Sequence, residues 1–516
     1  MGQDTDGTLP GVHQPAVSGQ THPMTLVHRV LYPQPIATLD EYLARGGGAG
    51  LEAALSVEPE AIIDEIEAAG LRGRGGAGFP TGVKWRTVRD YHAKFAASTV
   101  VVNGAEGEPG TFKDRTILRV DPYAVVEGAL IAARAVGADE VVFALKRAFA
   151  TEVARLRHAL EEVRAAGWCP GVSLSVYEGP DEYLYGEETA LLETLDGRYP
   201  FPRIAPPYRR GEHEVADDPR FAGTRTHSGL AAHVEMAASG GDEAPPALVD
   251  NIETMANVPR IIGRGASWFR TEGSEKSPGT LVCTITGAVQ RPGVGEVIMG
   301  TTLREAIEEI AGGPLEGRTI KAVLSGVSNP ILTVDLLDTP LTYEDMAAVG
   351  CGLGCGGFIV FDDGQDMAAV AAGVSRFLAV ESCGQCTPCK RDGLALSSLL
   401  DRLCRSDVSG RDLGQIRSLA STVGERARCY LATQHETVVT SLLERFPADF
   451  AAHVDGGAAP VQPTLVAEVL DLGPDGVVLD VRHTDKQPDW TFNPTDSGQA
   501  PAERYADHRR PVALDG

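Results

Sequence analysis

An α/β fold with a largely parallel sheet, continued by a smaller unit of strands and one helix, is what this 516-residue sequence predicts. Three observations carry that expectation. From Ser98 to Glu178, β-branched runs alternate with helical runs, the order that builds parallel strands covered by helices. A glycine-rich stretch, Gly73-Arg74-Gly75-Gly76-Ala77-Gly78-Phe79-Pro80-Thr81-Gly82-Val83-Lys84-Trp85, follows a helical run from Pro59 to Ala69. After Ser277 and Pro278 a fresh hairpin pattern begins, which marks a change of domain.

Composition narrows the function classes first. Forty-six Lys and Arg against seventy-one Asp and Glu give a net charge of -25, which excludes nucleic acid as a general partner. No apolar run is long enough to span a bilayer, so no direct membrane insertion is expected. Met1 to Met24 are polar and lack the basic start and apolar centre of a secretory signal, which predicts a disordered leader and a cytoplasmic protein. Nine cysteines, three of them tightly grouped, suit metal binding in a reducing compartment better than a disulfide framework.

Taken in order, Thr38 to Leu55 is helical and interrupted by Gly46 to Gly48. Ile62, Ile63 and Ile66 share one face of the Pro59–Ala69 helix, and the glycine loop starts where it stops. Five glycines let backbone N–H groups close on phosphate oxygens, and Phe79 and Trp85 offer flat faces. This is a loop for a nucleotide. Ser98 to Val102 forms a strand that runs into Asn103-Gly104-Ala105-Glu106-Gly107-Glu108, placing polar side chains at a strand's carboxyl end. Asn103 suits the edge of a heterocycle, and Glu106 and Glu108 can accept from ribose hydroxyls.

Ala124 to Ala135 is a helix, Glu140 to Leu145 a strand, Glu152 to Ala166 a helix and Val172 to Glu178 a further strand. Tyr183-Leu184-Tyr185-Gly186-Glu187-Glu188 then opens a helix, where the carboxylates either cap or bind. Gly211 to Ala247 is polar and reads as a long loop or insertion. Val249 to Pro259 starts a helix with Asn or Asp at its cap, which sets Asn251 and Thr254 one turn apart. Strands at Thr280 to Val289 and Gly295 to Met299, a helix from Leu303 to Ile310 and a strand around Lys321 to Leu324 suggest a β-grasp-like unit.

The strongest chemical signal is Cys383-Gly384-Gln385-Cys386-Thr387-Pro388-Cys389. Thiols at this spacing can hold three irons of a cubane, and a distant cysteine supplies the fourth ligand. Cys404 lies in an amphipathic run where a buried thiol is ordinary packing, whereas Cys429 follows basic residues at a helix break, so Cys429 is the choice. Zinc is disfavoured because no second pair of ligands is evident. Cys351 and Cys355 sit in a glycine-rich loop and read as close backbone packing rather than a second metal pair. After Asp449 the tail holds one hairpin, Thr464 to Val469 with Gly476 to Val481; the rest reads as disorder or as a strap onto a partner subunit.

These motifs, in this order, resemble the flavoprotein subunit of respiratory complex I and its relatives in NAD-linked hydrogenases and formate dehydrogenases. The likeness runs from about Thr38 to about Phe446. With a disordered leader read over 1–37, the resemblance implies an α/β FMN- and NADH-binding domain over 38–276 and a β-grasp (soluble-ligand-binding) domain over 277–342. An all-α bundle with one [4Fe-4S] cluster over 343–446 and a tail over 447–516 complete it. By resemblance Gly73, Arg74, Gly75, Gly76, Ala77, Gly78 and Lys84 cradle FMN, and Asn103, Glu106, Tyr183, Gly186, Glu187, Asn251 and Thr254 complete its pocket. Phe79, Glu108, Glu188 and Tyr208 face NAD(H), and Cys383, Cys386, Cys389 and Cys429 hold the cluster.

The implied activity is NADH dehydrogenase chemistry, a hydride passing from NADH to FMN and single electrons leaving through the cluster. The flavin carries the chemistry, so no catalytic acid or base is named. A thioredoxin-like [2Fe-2S] subunit, a ferredoxin or a larger, membrane-peripheral complex takes the electrons. The chain departs from the family pattern at Ala105, Asp250, Ala205 and the acidic turn Glu178 to Glu182. Ala205 and the acidic turn favour the alternative reading, an electron-transfer subunit that keeps FMN and the cluster but is reduced by a ferredoxin or partner flavoprotein instead of NADH; Phe79, Glu108, Glu188 and Tyr208 favour NADH oxidation, which is the preferred reading.

Overall fold

The computed structural model describes residues 26–90, 98–203, 247–473 and 476–505. Its first sheet is four-stranded and parallel, built from β1 (Ser98–Gly104), β2 (Ala138–Lys146), β3 (Ser173–Gly179) and β4 (Ala247–Asn251) in the order β3-β2-β1-β4. Two successive crossovers carry the chain from β1 outward to β3, and the last strand then returns to the other side of β1. The direction of winding therefore reverses at β1, and the crevice between the carboxyl ends of β1 and β4 is the place where such sheets bind ligands. Asn103 and Asn251 stand opposite each other in register there.

Alternation along β1 sends Val100 and Val102 into one core and Val101 into another. The first core is filled by the helices Pro122–Val136, Ile252–Arg264 and Pro59–Ala69, the second by Glu188–Leu195. Ile62, Ile63 and Ile66 are fully buried, each worth about 1.5–3 kcal/mol of transfer free energy. That burial holds the base of the glycine loop in place.

The second sheet is built from β5 (Thr280–Gly287), β6 (Gly293–Ile298), β7 (Ile320–Ser325), β8 (Leu332–Thr333) and β9 (Gly357–Asp362), in the order β6-β5-β9-β7-β8. It grips the helix Leu303–Ala311 through Leu303, Ile307 and Ile310. A Thr302–Glu305 capping box starts that helix. Because β9 lies between β5 and β7, parallel to one and antiparallel to the other, this sheet is completed beyond residue 342. A boundary at 342 is corrected for that reason: the central strand arrives last in sequence, and a local pattern does not show which sheet it joins.

The helices Met367–Glu381, Gly393–Cys404, Gly410–Thr422, Tyr430–Arg445 and Pro447–Ala452 pack around one apolar core. Within it, Ser375 Oγ lies 2.7 Å from His435 Nε2, and burial pushes His435 down to about 3. His435 is thus neutral when folded and protonates below about pH 6.5 when unfolded, so stability falls as pH drops from there towards about 3. At pH 5 this amounts to about 2 kcal/mol. Thermal melts of His435→Gln should lose less stability than the wild type between about pH 7 and pH 5, a range in which ordinary carboxylates stay ionised. Parallel slopes for the two proteins would sink the assignment.

Two further expectations need correction. Within the leader, residues 26–37 are ordered: Val30, Leu31 and Ile36 are buried, and the Glu296 carboxylate accepts from the N–H groups of Arg29, Val30 and Leu31 at 2.8–2.9 Å. The tail is ordered over 480–505, where it lies on the chain's own helices and buries Trp490 and His483. A hairpin forms, but its first strand is displaced from the expected Thr464 to Val469: β10 (Val469–Gly473) pairs with β11 (Gly476–Leu479). The expected loop over 211–247 lies outside the described residues up to 246. Among the described residues, no helix is long and apolar enough to cross a membrane.

Candidate functional site

The glycine loop leaves the Pro59–Ala69 helix and enters the helix Thr81–Asp90. Gly73 N–H bonds Phe79 O at 2.8 Å, which closes the loop on itself. Arg74 N–H donates to Thr254 Oγ1 at 2.9 Å, and the buried Arg74 side chain reaches the Tyr343 hydroxyl at 3.1 Å and Pro278 O at 3.3 Å. Among the described residues nothing accepts from the N–H groups of Gly75, Gly76, Ala77 or Gly78. Gly76 and Gly78 have φ of +120° and +63°, conformations open to glycine. Four consecutive donors in a turn without acceptors make a nest for an anion such as a phosphate.

Lys84 rises from the following helix and donates to Val249 O and, at 3.3 Å, to Glu188. Burial works against its charge, but Glu188 and Asp250 outweigh burial and hold its pKa above the ordinary value. Asp250 also accepts from Trp85 Nε1 at 2.8 Å. Trp85 is fully buried beneath the loop, so it does not offer a flat face to a ligand as its sequence position suggests. Its indole is spent on the loop's foundation, and the Asp at 250 is what it binds.

Asn103 Nδ2 donates to Gly186 O at 3.0 Å, which brings the end of β1 against the Tyr183–Gly186 turn. Glu106 accepts from Asp114 N–H at 2.9 Å and Arg115 Nε at 2.9 Å, so it caps the helix Lys113–Val120. Glu187 likewise caps Glu188–Leu195, taking the N–H groups of Thr189 and Ala190 at 3.0 and 2.8 Å. Both carboxylates shape the pocket through the backbone. Asn251 caps its own helix by accepting from Glu253 N–H at 3.0 Å, and its Nδ2 donates to Asp114 at 2.7 Å.

Glu108 faces the second sheet. It accepts from Val327 N–H at 2.7 Å and from the hydroxyls of Ser328 and Tyr183. Burial raises its pKa, and those three bonds pull the other way. Tyr183 also accepts from Gln434 Nε2 at 2.9 Å. The Tyr183 turn, the second sheet and the helical region thus meet at one hydroxyl. Phe79 is buried, and Tyr208 and Ala205 lie outside the described residues.

Several contributors escape sequence reasoning. Lys113 Nζ lies 2.8 Å from Asp114, 2.9 Å from Glu253 and 3.1 Å from Asn251, forming a buried charged floor under β1 and β4. Burial pushes Asp114 up to about 6 although Lys113 opposes it. Both residues stand beside the Glu106–Glu108 motif, where an adjacent Lys–Asp pair was the available signal. Tyr343 closes over the loop from far along the chain and donates to Gly73 O at 2.9 Å. Cys355 lies against the loop with Sγ 3.2 Å from Gly75 O, and Cys351 packs in the core of the second sheet beside Pro330 O at 3.3 Å. Neither is in a disulfide.

Cys383, Cys386, Cys389 and Cys429 line one small cavity with Leu184, Pro202 and Leu431. Cys404 is not on its wall; it is fully buried beside Ala368. Cys429 stands at the cap position of Tyr430–Arg445. Among the described residues no three His, Cys, Asp or Glu converge closely enough for a single ion. Four thiols around one cavity without a common centre suit a cluster in which each iron takes one thiolate. Burial raises the pKa of Cys383, Cys389 and Cys429, so these thiols are protonated until a metal displaces the protons. Lys390 folds back to Ala379 O, Val380 O and Ser382 O at 2.9–3.3 Å, closing the carboxyl end of the helix before the first thiol.

Known families match the chain in the same order. The Nuo51 FMN-binding domain matches residues 66–260, the SLBB domain 282–330, and the NADH-ubiquinone oxidoreductase-F iron-sulfur binding region 369–453. The second NADH-quinone oxidoreductase F subunit of Rhizobium meliloti (strain 1021) is 35% identical over 434 residues, covering 82% of this chain and 96% of that protein. The NADP-reducing hydrogenase subunit HndC of Solidesulfovibrio fructosivorans is 33% identical, covering 82% of each. A crystal structure of NAD+-reducing [NiFe]-hydrogenase in the H2-reduced state superposes with a TM-score of 0.67 at 29% identity, over 82% of this chain and 67% of that one.

Proposed function

The chain belongs to the family of NADH-quinone oxidoreductase F subunits, and from that premise we propose that it is an electron-entry subunit, oxidising NADH at FMN and delivering electrons through a [4Fe-4S] cluster to a partner redox subunit. The observation that carries the reading is the unaccepted row of N–H groups from Gly75 to Gly78, at the winding reversal of a parallel sheet. Bound flavin supplies the exchange between two-electron and one-electron chemistry, and the protein supplies position.

In this reading the glycine loop and Lys84 take the FMN phosphate and ribityl, with Lys84 kept charged by Glu188 and Asp250. Asn103 and Asn251, paired across β1 and β4, present amides to the ring edge. Glu106, Glu187 and Thr254 hold the surrounding backbone through the bonds described above, with Gly186 lying beside Ala105. Tyr183 completes the FMN pocket, whereas Phe79, Glu108 and Glu188 face the nicotinamide nucleotide, and Tyr208 joins them. Cys383, Cys386, Cys389 and Cys429 take the cluster, one thiolate to each iron. An α/β flavin domain, a β-grasp domain and a cluster-binding bundle are the three units of this design, and the partner is a thioredoxin-like [2Fe-2S] subunit or a ferredoxin.

The test is anaerobic. With FMN and cluster reconstituted, added NADH should bleach the flavin absorbance rapidly in a stopped-flow cell, and cluster reduction should follow. Reduction of both centres by dithionite but not by NADH or NADPH would overturn the nucleotide-oxidising role.

A further inference from the structure

The iron-sulfur match ends at residue 453, yet the chain continues across the junction between the Tyr183 turn and the Cys383 loop. Glu381, two residues before Cys383, is 2 % exposed. Its Oε2 accepts from Tyr183 N–H at 3.1 Å, while its Oε1 lies 3.1 Å from His483 Nε2 and accepts from Lys486 Nζ at 2.7 Å. One carboxylate thus joins three segments remote in sequence.

The same tail is fastened on both sides of this point. Trp490 Nε1 donates to Val380 O at 3.1 Å, and Arg376 donates to Thr484 O at 2.7 Å. Ala502 N–H donates to Cys383 O at 2.9 Å, and the Tyr505 ring stacks on Tyr199 with centroids 4.0 Å apart. The tail also roofs a cavity of about 460 Å³ against Gly179 to Tyr183.

We infer that the C-terminal segment is a clamp that fixes the flavin-side turn against the cluster loop, with Lys486 as its positioning residue. The inference rests on the reading that Tyr183 borders FMN and Cys383 holds the cluster. A buried carboxylate is stable when paired and strongly unfavourable alone. Without Lys486, Glu381 turns towards water and releases Tyr183 N–H on one side and the Cys383 loop on the other. A change in the tail is therefore felt at both cofactors.

The test uses full-length chains reconstituted anaerobically with FMN, iron and sulfide, and reads FMN affinity by fluorescence and the reduced cluster by its EPR line shape. Lys486→Met should weaken FMN binding about tenfold and alter the EPR line shape, and Lys486→Arg should restore most of both. Phe492→Ser, on an exposed tail position, should match the wild type in both. Wild-type values for Lys486→Met, or a change in the cluster alone, would overturn the clamp. Should Lys486→Met not fold, the double variant Glu381→Ala/Lys486→Met decides, since it buries no unpaired charge and removes the acceptor that holds Tyr183 N–H. It should shift both readouts, and wild-type values in both would overturn the inference. A wild-type chain that takes up neither FMN nor cluster overturns the functional reading, and the clamp with it.

Discussion

Replacing Cys429 by alanine should strip the iron-sulfur centre from the chain, whereas replacing Cys404 should leave it in place. All four proposed ligands line one cavity, and Cys404 is packed elsewhere, against Ala368. A cubane with one iron left without thiolate loses that iron readily and then decays, because no other cysteine lines the cavity to take over. Iron and acid-labile sulfide in Cys429→Ala should fall to a small fraction of the wild type after anaerobic reconstitution, and the EPR signal of the dithionite-reduced chain should vanish. Cys404→Ala removes a buried sulfur and should cost about 1 kcal/mol of stability while keeping both. The reverse pattern would place the fourth ligand at Cys404.

The second large effect is expected at Gly76. Its φ of +120° is nearly closed to residues with a side chain, and a Cβ there would meet Cys355 Sγ at 3.1 Å. Gly76→Ala must either carry backbone strain of about 1–3 kcal/mol or rotate the peptide groups that form the N–H nest. Since each 1.4 kcal/mol is about tenfold in affinity, FMN binding should weaken by about tenfold to a hundredfold. Fluorescence titration of the deflavinated chain measures this directly. The cluster of Gly76→Ala should be intact, because the two sites are built on different elements. An unchanged FMN affinity would remove the glycine loop from the phosphate site.

Much of this protein is legible locally. The Pro59–Ala69 helix, the strand that ends at Asn103 and the three-thiol spacing each follow from periodicity or spacing within a few residues. The choice of Cys429 over Cys404 also rests on local context, a helix break against an amphipathic run. Trp85 shows the limit of that reasoning: an aromatic beside a nucleotide loop looks like a ligand face, but Asp250 at 2.8 Å draws its indole into the foundation. Glu106 and Glu187 show another, since a carboxylate near a helix start serves the backbone as readily as a ligand, and only the hydrogen bonds separate the two uses.

What the sequence alone determined is the set of local units: a glycine loop, an α/β alternation, a hairpin-helix unit and a clustered thiol motif. Their order was enough to suggest the family. Which units touch was decided only in three dimensions. Tyr343 reaches Gly73, β9 enters the middle of the second sheet, Glu108 crosses to Val327, and Lys486 returns to Glu381. The physical reason is that periodicity and propensity act over one or two turns of chain, whereas these contacts depend on how separately folded surfaces bury apolar area and satisfy polar groups against each other.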